Sequence, residues 1–268
     1  MKIGKNYIDL NVENIYTEYL EHAQKDAESI REKEYNDRLF ASNAGLCYRK
    51  LYYHEKNMPK KKTDETGLRT MRLGTIFGFD FERAISWYFN KYSEHLQDVK
   101  YYTEEYIYDD EFMPPLGGHF DILFVDESDK WRRGYLIDVK TTNLWKFQAI
   151  FGKKPEKDPS YNYEMQLGTY AALLERDKRF CDEVVYMSNV YFNKNSSVIK
   201  FREAAPIFKQ YAIDYWKGYT TYKGEEPPLK EYAVPFYKKW ECDWCNYSLI
   251  CDSPHVKKRK VKENKWNK

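Results

Sequence analysis

Between Gly67 and Thr141 the spacing of apolar side chains changes from helical to alternating, and this switch narrows the possible folds more than any other feature. As far as about Tyr92 the apolar residues recur at three- and four-residue intervals, which predicts a helix. Beyond it the period falls to two. Tyr101 to Tyr108, Gly117 to Val125 and Gly134 to Thr141 read as three consecutive strands, with a polar turn, Asp126 to Lys130, after the second. Further helices are expected over about Asn11–Leu39, Leu46–His54, Tyr163–Leu174 and Pro206–Tyr222, and strands near Val184–Phe192 and Val198–Phe201. Helix, three-strand meander, helix and strand make a mixed α/β plan rather than a doubly wound one. No internal repeat or Pro/Gly/Ser-rich linker divides it, so one compact domain with terminal attachments is expected.

The 268 residues carry 44 Lys and Arg against 42 Asp and Glu, for a net charge of +2. That total does not announce a nucleic-acid binder. No apolar run approaches the roughly eighteen residues of a membrane-spanning helix, which excludes such a span and implies a soluble chain. The N-terminal stretch from Met1 to Tyr16 lacks the apolar core of a secretory signal, so a reducing, cytoplasmic setting without stable disulfides is expected, the host cytoplasm if the protein is viral. The charge is also unevenly spread. Val256 to Lys268 holds seven basic residues and one acid, leaving the preceding residues at −4, and this tail reads as a solvated segment able to attract polyphosphate weakly. Lys60-Lys61-Lys62 reads as an exposed loop.

Five cysteines in a reducing setting ask for another explanation. Cys242, Cys245 and Cys251 form C-x2-C-x5-C, a spacing suited to a metal or cluster, because a buried thiolate is costly unless a cation neutralises it. His255 extends the set to C-x2-C-x5-C-x3-H, which on local spacing alone is a complete zinc site. Cys47 stands alone near the start, and Cys181 reads as a small buried apolar residue.

The second and third strands carry carboxylates suited to chemistry. Asp138 and Lys140 are two apart and share one strand face, while Val139 is expected to point the other way into the core. Asp121 lies on the preceding strand; if the two pair as a hairpin, two carboxylates can bind a divalent cation beside an ammonium. An Asp-x-Lys pair on a strand is more often an ordinary ion pair, but the apolar run Tyr135-Leu136-Ile137 before it points to burial. Gln166 and Tyr170 stand four apart on one face of the following helix and can reach the same pocket.

Gly118-His119-Phe120-Asp121, Asp138-Val139-Lys140 and Gln166-x3-Tyr170, in this order, resemble the PD-(D/E)XK nuclease superfamily, in its RecB-like branch. Cys47 in the segment Ser42 to Tyr53, with the three late cysteines, looks like the iron–sulfur subgroup that includes AddB-type nuclease domains and CRISPR-associated RecB-like exonucleases. The likeness covers about residues 42 to 252. It implies a restriction-endonuclease-like core, a mixed central sheet flanked by helices, with a four-cysteine cluster subdomain joining the N- and C-terminal parts. It also implies that Cys47, Cys242, Cys245 and Cys251 hold a [4Fe–4S] cluster, zinc being the alternative cofactor. The boundaries expected are 1–40 for an N-terminal helical segment, 41–235 for the nuclease domain, 236–255 for the cysteine segment that works with Cys47, and 256–268 for the tail. One departure stands out: Gly78 occupies the helix position where the family carries a metal-binding His. Glu82, one turn further on, takes that role in this reading, with Asp80 or water as alternatives.

What the resemblance implies is a Mg²⁺- or Mn²⁺-dependent DNA exonuclease acting on single- or double-stranded ends in recombination, repair or phage DNA metabolism. Asp121 and Asp138 bind the metal with help from Glu82, Lys140 activates water or stabilises charge, and Gln166 with Tyr170 positions substrate. Arg49, Lys50, Arg69 and Arg72 are candidate phosphate contacts, and His119 has a structural or DNA-contacting role. The alternative from another class is a catalytically weak or inactive nuclease-fold protein that binds DNA. An RNA-directed nuclease is a third, and a protein partner is not specified.

Overall fold

The computed structural model describes residues 2–3, 8–9, 12–34, 38–112, 114–152, 160–221, 226–228, 241–242 and 245–251. The basic tail and His255 lie outside them. Two compact units emerge. One comprises residues 1–45 and 63–221, and the other residues 46–62 and 222–268.

The first unit opens with a small antiparallel pair, β1 (Lys2–Ile3) and β2 (Ile8–Asp9), followed by α1 (Val12–Glu34). Its centre is a six-stranded mixed sheet built from β3 (Leu39–Phe40), β4 (Val99–Asp109), β5 (Leu116–Asp126), β6 (Arg133–Thr142), β7 (Glu183–Asn193) and β8 (Ile199–Glu203). The expected meander is present: β4, β5 and β6 pair antiparallel in succession. β7 then joins β6 in parallel, and a parallel neighbour needs a long crossover. Two helices supply it, α4 (Leu144–Phe151) and α5 (Tyr161–Asp177). β8 returns antiparallel beside β7 across a short turn in which Ser197 takes φ +57° and Asn193 Oδ1 accepts from Asn195 N at 2.9 Å.

Helices of the first unit cover this sheet. The second unit holds α2 (Tyr48–Glu55). In the first unit α3 (Glu65–Lys91) begins at an N-cap, Asp64, whose carboxylate accepts from Gly67 N at 2.8 Å. α3 lies along the sheet: Phe77 meets Phe192 on β7 with ring centroids 3.8 Å apart, and Phe89 stacks on Phe124 of β5 at 5.7 Å. α5 is almost wholly enclosed, and α6 (Phe208–Thr221) packs on it, with Trp216 Nε1 donating to Thr169 Oγ1 at 3.0 Å. The core beneath α5 is apolar and dense, with Leu123, Val125, Leu136, Leu167 and Leu174 all fully buried.

Two expectations need correcting. α4 was not anticipated: LWKFQAIF is short and apolar at too many positions to show a period, and its signal is the N-cap Asn143, which accepts from Lys146 N at 2.8 Å. Val139 is also not the buried side of its strand. Asp138 is 1% exposed and Val139 half-buried, because α5 closes over the face that carries Asp138. No described helix is long and apolar enough to cross a membrane.

Candidate active site

β5 forks on one edge. β4 pairs along it from Leu116 to Asp126 at every position but Asp121, so β3 and β6 must share the opposite edge. β3 takes Leu116 and Gly117, and β6 takes Ile122 to Asp126. The stretch between them, 118–121, has no strand partner there, and Asp121 fills the fork by accepting from Val139 N with Oδ2 at 2.6 Å. Gly118 lets Tyr170 approach closely here, since a Cβ there would stand 3.1 Å from its ring and hydroxyl.

The strand register aligns the acids. One step beyond the Ile122–Ile137 pair, Asp121 lies opposite Asp138, and Asp138 lies beside Asn189 in the parallel pair of β6 and β7. Residues opposite one another share a face. Lys140, two further along β6, lies on that face as well. A closed triangle results. Lys140 Nζ meets Asp138 Oδ2 at 2.5 Å and donates to Gln166 Oε1 at 3.2 Å, while Gln166 Nε2 donates to Asp138 Oδ1 at 3.2 Å. The Gln166 amide serves both charges at once, its oxygen on the cation and its nitrogen on the anion.

Burial dominates the electrostatics. It pushes Asp138 and Asp121 up, with Lys140 opposing in both cases and the backbone N–H of Val139 helping to hold Asp121 down. For Lys140 burial alone would lower the ammonium, but Asp138 and Asp121 outweigh it and the group is raised, so it keeps its proton. Tyr170 is pushed up by burial and then by Asp138 and Asp121, leaving a hydroxyl that remains a donor. The Tyr163 ring covers Lys140, whose Nζ lies 5.1 Å from its centroid.

Two glutamates complete the acidic group. Glu82 on α3 is raised by partial burial and by the charge of Asp121. Glu104 on β4 was not singled out in the sequence: it falls between the pairs Thr103–Ile122 and Glu105–Phe120, opposite Asp121. Its backbone is left-handed at φ +52°, a conformation costing a non-glycine residue roughly 1–2 kcal/mol. Burial of its carboxyl, then Asp121, Glu82 and Asp138, push it up to about 7 against the pull of Lys140. Its sequence, Thr-Glu-Glu-Tyr, reads as a solvated strand face, and only the register with β5 marks it out.

Four carboxylates facing one ammonium are a donor set for a divalent cation. Asn189 agrees: fully buried beside Asp138, it leaves both amide atoms without a partner. Among the described residues no group of three or more His, Cys, Asp or Glu stands close enough to grip an ion as it is. A Cβ on Gly78 would meet nothing within 4 Å, so the glycine leaves open space on the helix one turn before Glu82. His119 is exposed and lies against the Tyr106 ring at 5.0 Å.

The basic candidates divide between the two units. Arg69 bonds Glu13, Glu65 and Thr17, and Arg72 lies on the same helix, half-buried. In the second unit Arg49 is buried and donates to Tyr53 Oη and the Pro228 carbonyl, while Lys50 is half-buried and its charge acts on Glu241 and Cys245. That unit also contains Cys47, Cys242, Cys245 and Cys251, none in a disulfide and all half-buried. Burial pushes Cys47 up to about 12, with Glu241 and Cys242 adding to it, and raises Cys245, with Glu241 and Cys251 adding. Cys47 N donates to Glu241 Oε1 at 2.9 Å, which ties the early segment to the late one. Cys181, in the first unit, is fully buried.

A family model described as the PD-(D/E)XK nuclease superfamily matches residues 13–252. No curated protein matches the chain. Among solved structures, that of SSO0001 is similar at a TM-score of 0.54 and 18% identity, over 89% of this chain and 96% of its own. That of the "Putative exonuclease" from Eubacterium rectale is similar at 0.46 and 9% identity, over 75% of this chain and 87% of its own. The first likeness speaks to the fold alone.

Proposed function

Because the chain belongs to the PD-(D/E)XK nuclease superfamily, and is on that footing a nuclease, we propose that it is a Mg²⁺- or Mn²⁺-dependent deoxyribonuclease that degrades DNA from its ends. The observation that carries this reading is the Asp138–Lys140–Gln166 triangle beside Asp121 in the sheet fork. Asp121 and Asp138 would hold the cation, assisted by Glu82. When bound, the cation supplies Lewis acidity to the phosphoryl group and favours ionisation of the attacking water. Lys140 keeps its proton and faces the negative charge that develops on the phosphate. Gln166 fixes the Lys140 ammonium and Asp138 in one geometry, and Tyr170 offers a hydroxyl donor over Gly118. Recombination, repair or phage DNA metabolism in a cytoplasm is the setting that fits such an activity.

Labelled single-stranded, linear double-stranded, end-blocked and circular DNA incubated with Mn²⁺ tests this. Linear DNA should be degraded, while circles and blocked ends persist. Lys140→Ala or Asp138→Ala should each lower the rate by about 10²–10³-fold or more. Metal-independent binding without cleavage would instead identify a DNA-holding protein, and cleavage of RNA alone would change the substrate.

The same reading extends to Cys47, Cys242, Cys245 and Cys251 as ligands of a [4Fe–4S] cluster. Four thiols in one unit, none in a disulfide, with burial raising Cys47 and Cys245, are a donor set that a cation would stabilise as thiolates. Zinc is the competing occupant.

A further inference from the structure

We propose that Glu104 is a direct ligand of the divalent cation, sharing it with Asp121 across the β4–β5 ladder; this rests on the metal-site reading above. Three observations converge on it. The register sets Glu104, Asp121 and Asp138 in one row across three neighbouring strands, on one face of the sheet. Within an otherwise continuous β4–β5 ladder, the Glu104 and Asp121 positions alone are missing from the paired register, so the lapse falls at the row itself. Lastly, Glu104 takes a left-handed backbone that glycine or asparagine would adopt more readily.

An ordinary solvent-facing glutamate has no reason to accept that conformation. Strain of this kind persists where the surroundings fix it, and the direction of inference runs from the outlier to a role. The row ends at Asn189, whose buried, unpartnered amide calls for a polar neighbour of the kind a hydrated cation brings. Unlike Asp138, Glu104 is exposed as a whole residue, so it can exchange ligands with solvent during binding and release of the ion.

Mn²⁺ binding to the full chain, followed by the electron paramagnetic resonance signal of the free ion, separates the possibilities. Glu104→Gln should weaken Mn²⁺ binding by at least about tenfold, as even outer-shell losses do. Glu105→Gln, on the next residue, should bind like the wild type. Glu104→Gly should lose the same affinity yet melt higher than Glu104→Gln without metal, because glycine relieves the backbone. Wild-type binding in Glu104→Gln alongside loss in Asp138→Asn would overturn this inference and leave the metal site standing. Wild-type binding in both would overturn the metal-site reading itself.

Discussion

A carboxylate as enclosed as Asp138 needs a cation, and Lys140 supplies one at 2.5 Å while Gln166 holds both. The balance is incomplete, because Asp121, Glu82 and Glu104 bring further negative charge to the same place. All of these carboxyls are raised in the folded chain, so between pH about 4 and about 7 the folded state retains protons that the unfolded chain has released. With more protons on the folded side, stability falls as pH rises through this window. The penalty is absent below about pH 4 and complete above about 7. Thermal melts of the metal-free chain should therefore give a lower Tm at pH 7.5 than at pH 5.5, and Mn²⁺ should raise Tm more at pH 7.5. A Tm that rises between those two values would contradict this account of the carboxylates. At this scale the sequence made Asp121, Asp138, Lys140, Gln166 and Tyr170 legible, since short spacings on a strand and a helix fix which side chains share a face. Glu104 was illegible because its importance depends on a partner in another strand.

Among the elements, α5 does most to define the site, since it carries Gln166 and Tyr170 and roofs Asp138. Its own position depends on α6. Gly168 allows the approach: a Cβ there would lie 2.2 Å from the Phe208 carbonyl oxygen, a backbone atom that cannot swing aside. Gly168→Ala should destabilise the protein by about 1–3 kcal/mol through overpacking, visible as a lower denaturant midpoint with an unchanged slope. It should also slow cleavage, because α5 must shift and take the triangle with it. A wild-type midpoint would show that α6 yields freely. The long elements were readable because several turns or alternations repeat one pattern. α4, and β3 with its two residues, offer too few positions for a period, and β3 is a strand only because Leu116 and Gly117 pair with it.

For the molecule as a whole, the cysteines test the reading that the motifs alone left divided between iron and zinc. Cys47 belongs to a unit assembled from residues 46–62 and 222–268, two stretches far apart in the chain. Within that unit Lys61 N donates to the Asn246 carbonyl at 2.8 Å, and the rings of Tyr53 and Tyr247 lie 5.6 Å apart. Protein purified anaerobically should be brown and contain iron. Cys47→Ala should remove the colour and lower the stability of this unit, whereas His255→Ala should leave both unchanged. Colourless protein carrying zinc, with His255→Ala releasing it, would exclude the cluster. The three late cysteines advertise a metal through spacing alone. Cys47 does not, because a single thiol has no spacing to read, and its tie to Glu241 appears only when the two stretches meet.

The fork in β5 also governs when activity can exist. Glu82 comes from one helix, Asp121 and Asp138 from two strands, and Gln166 and Tyr170 from a helix beyond them; within a short peptide only Asp138 with Lys140, or Gln166 with Tyr170, travel together. With the site proposed above, a chain still emerging from synthesis, or one partly opened, would lack hydrolytic competence, since Asp121 accepts from the Val139 amide of β6. The nuclease arms itself by folding. On the same reading, a local separation of β5 from β6 would disarm it.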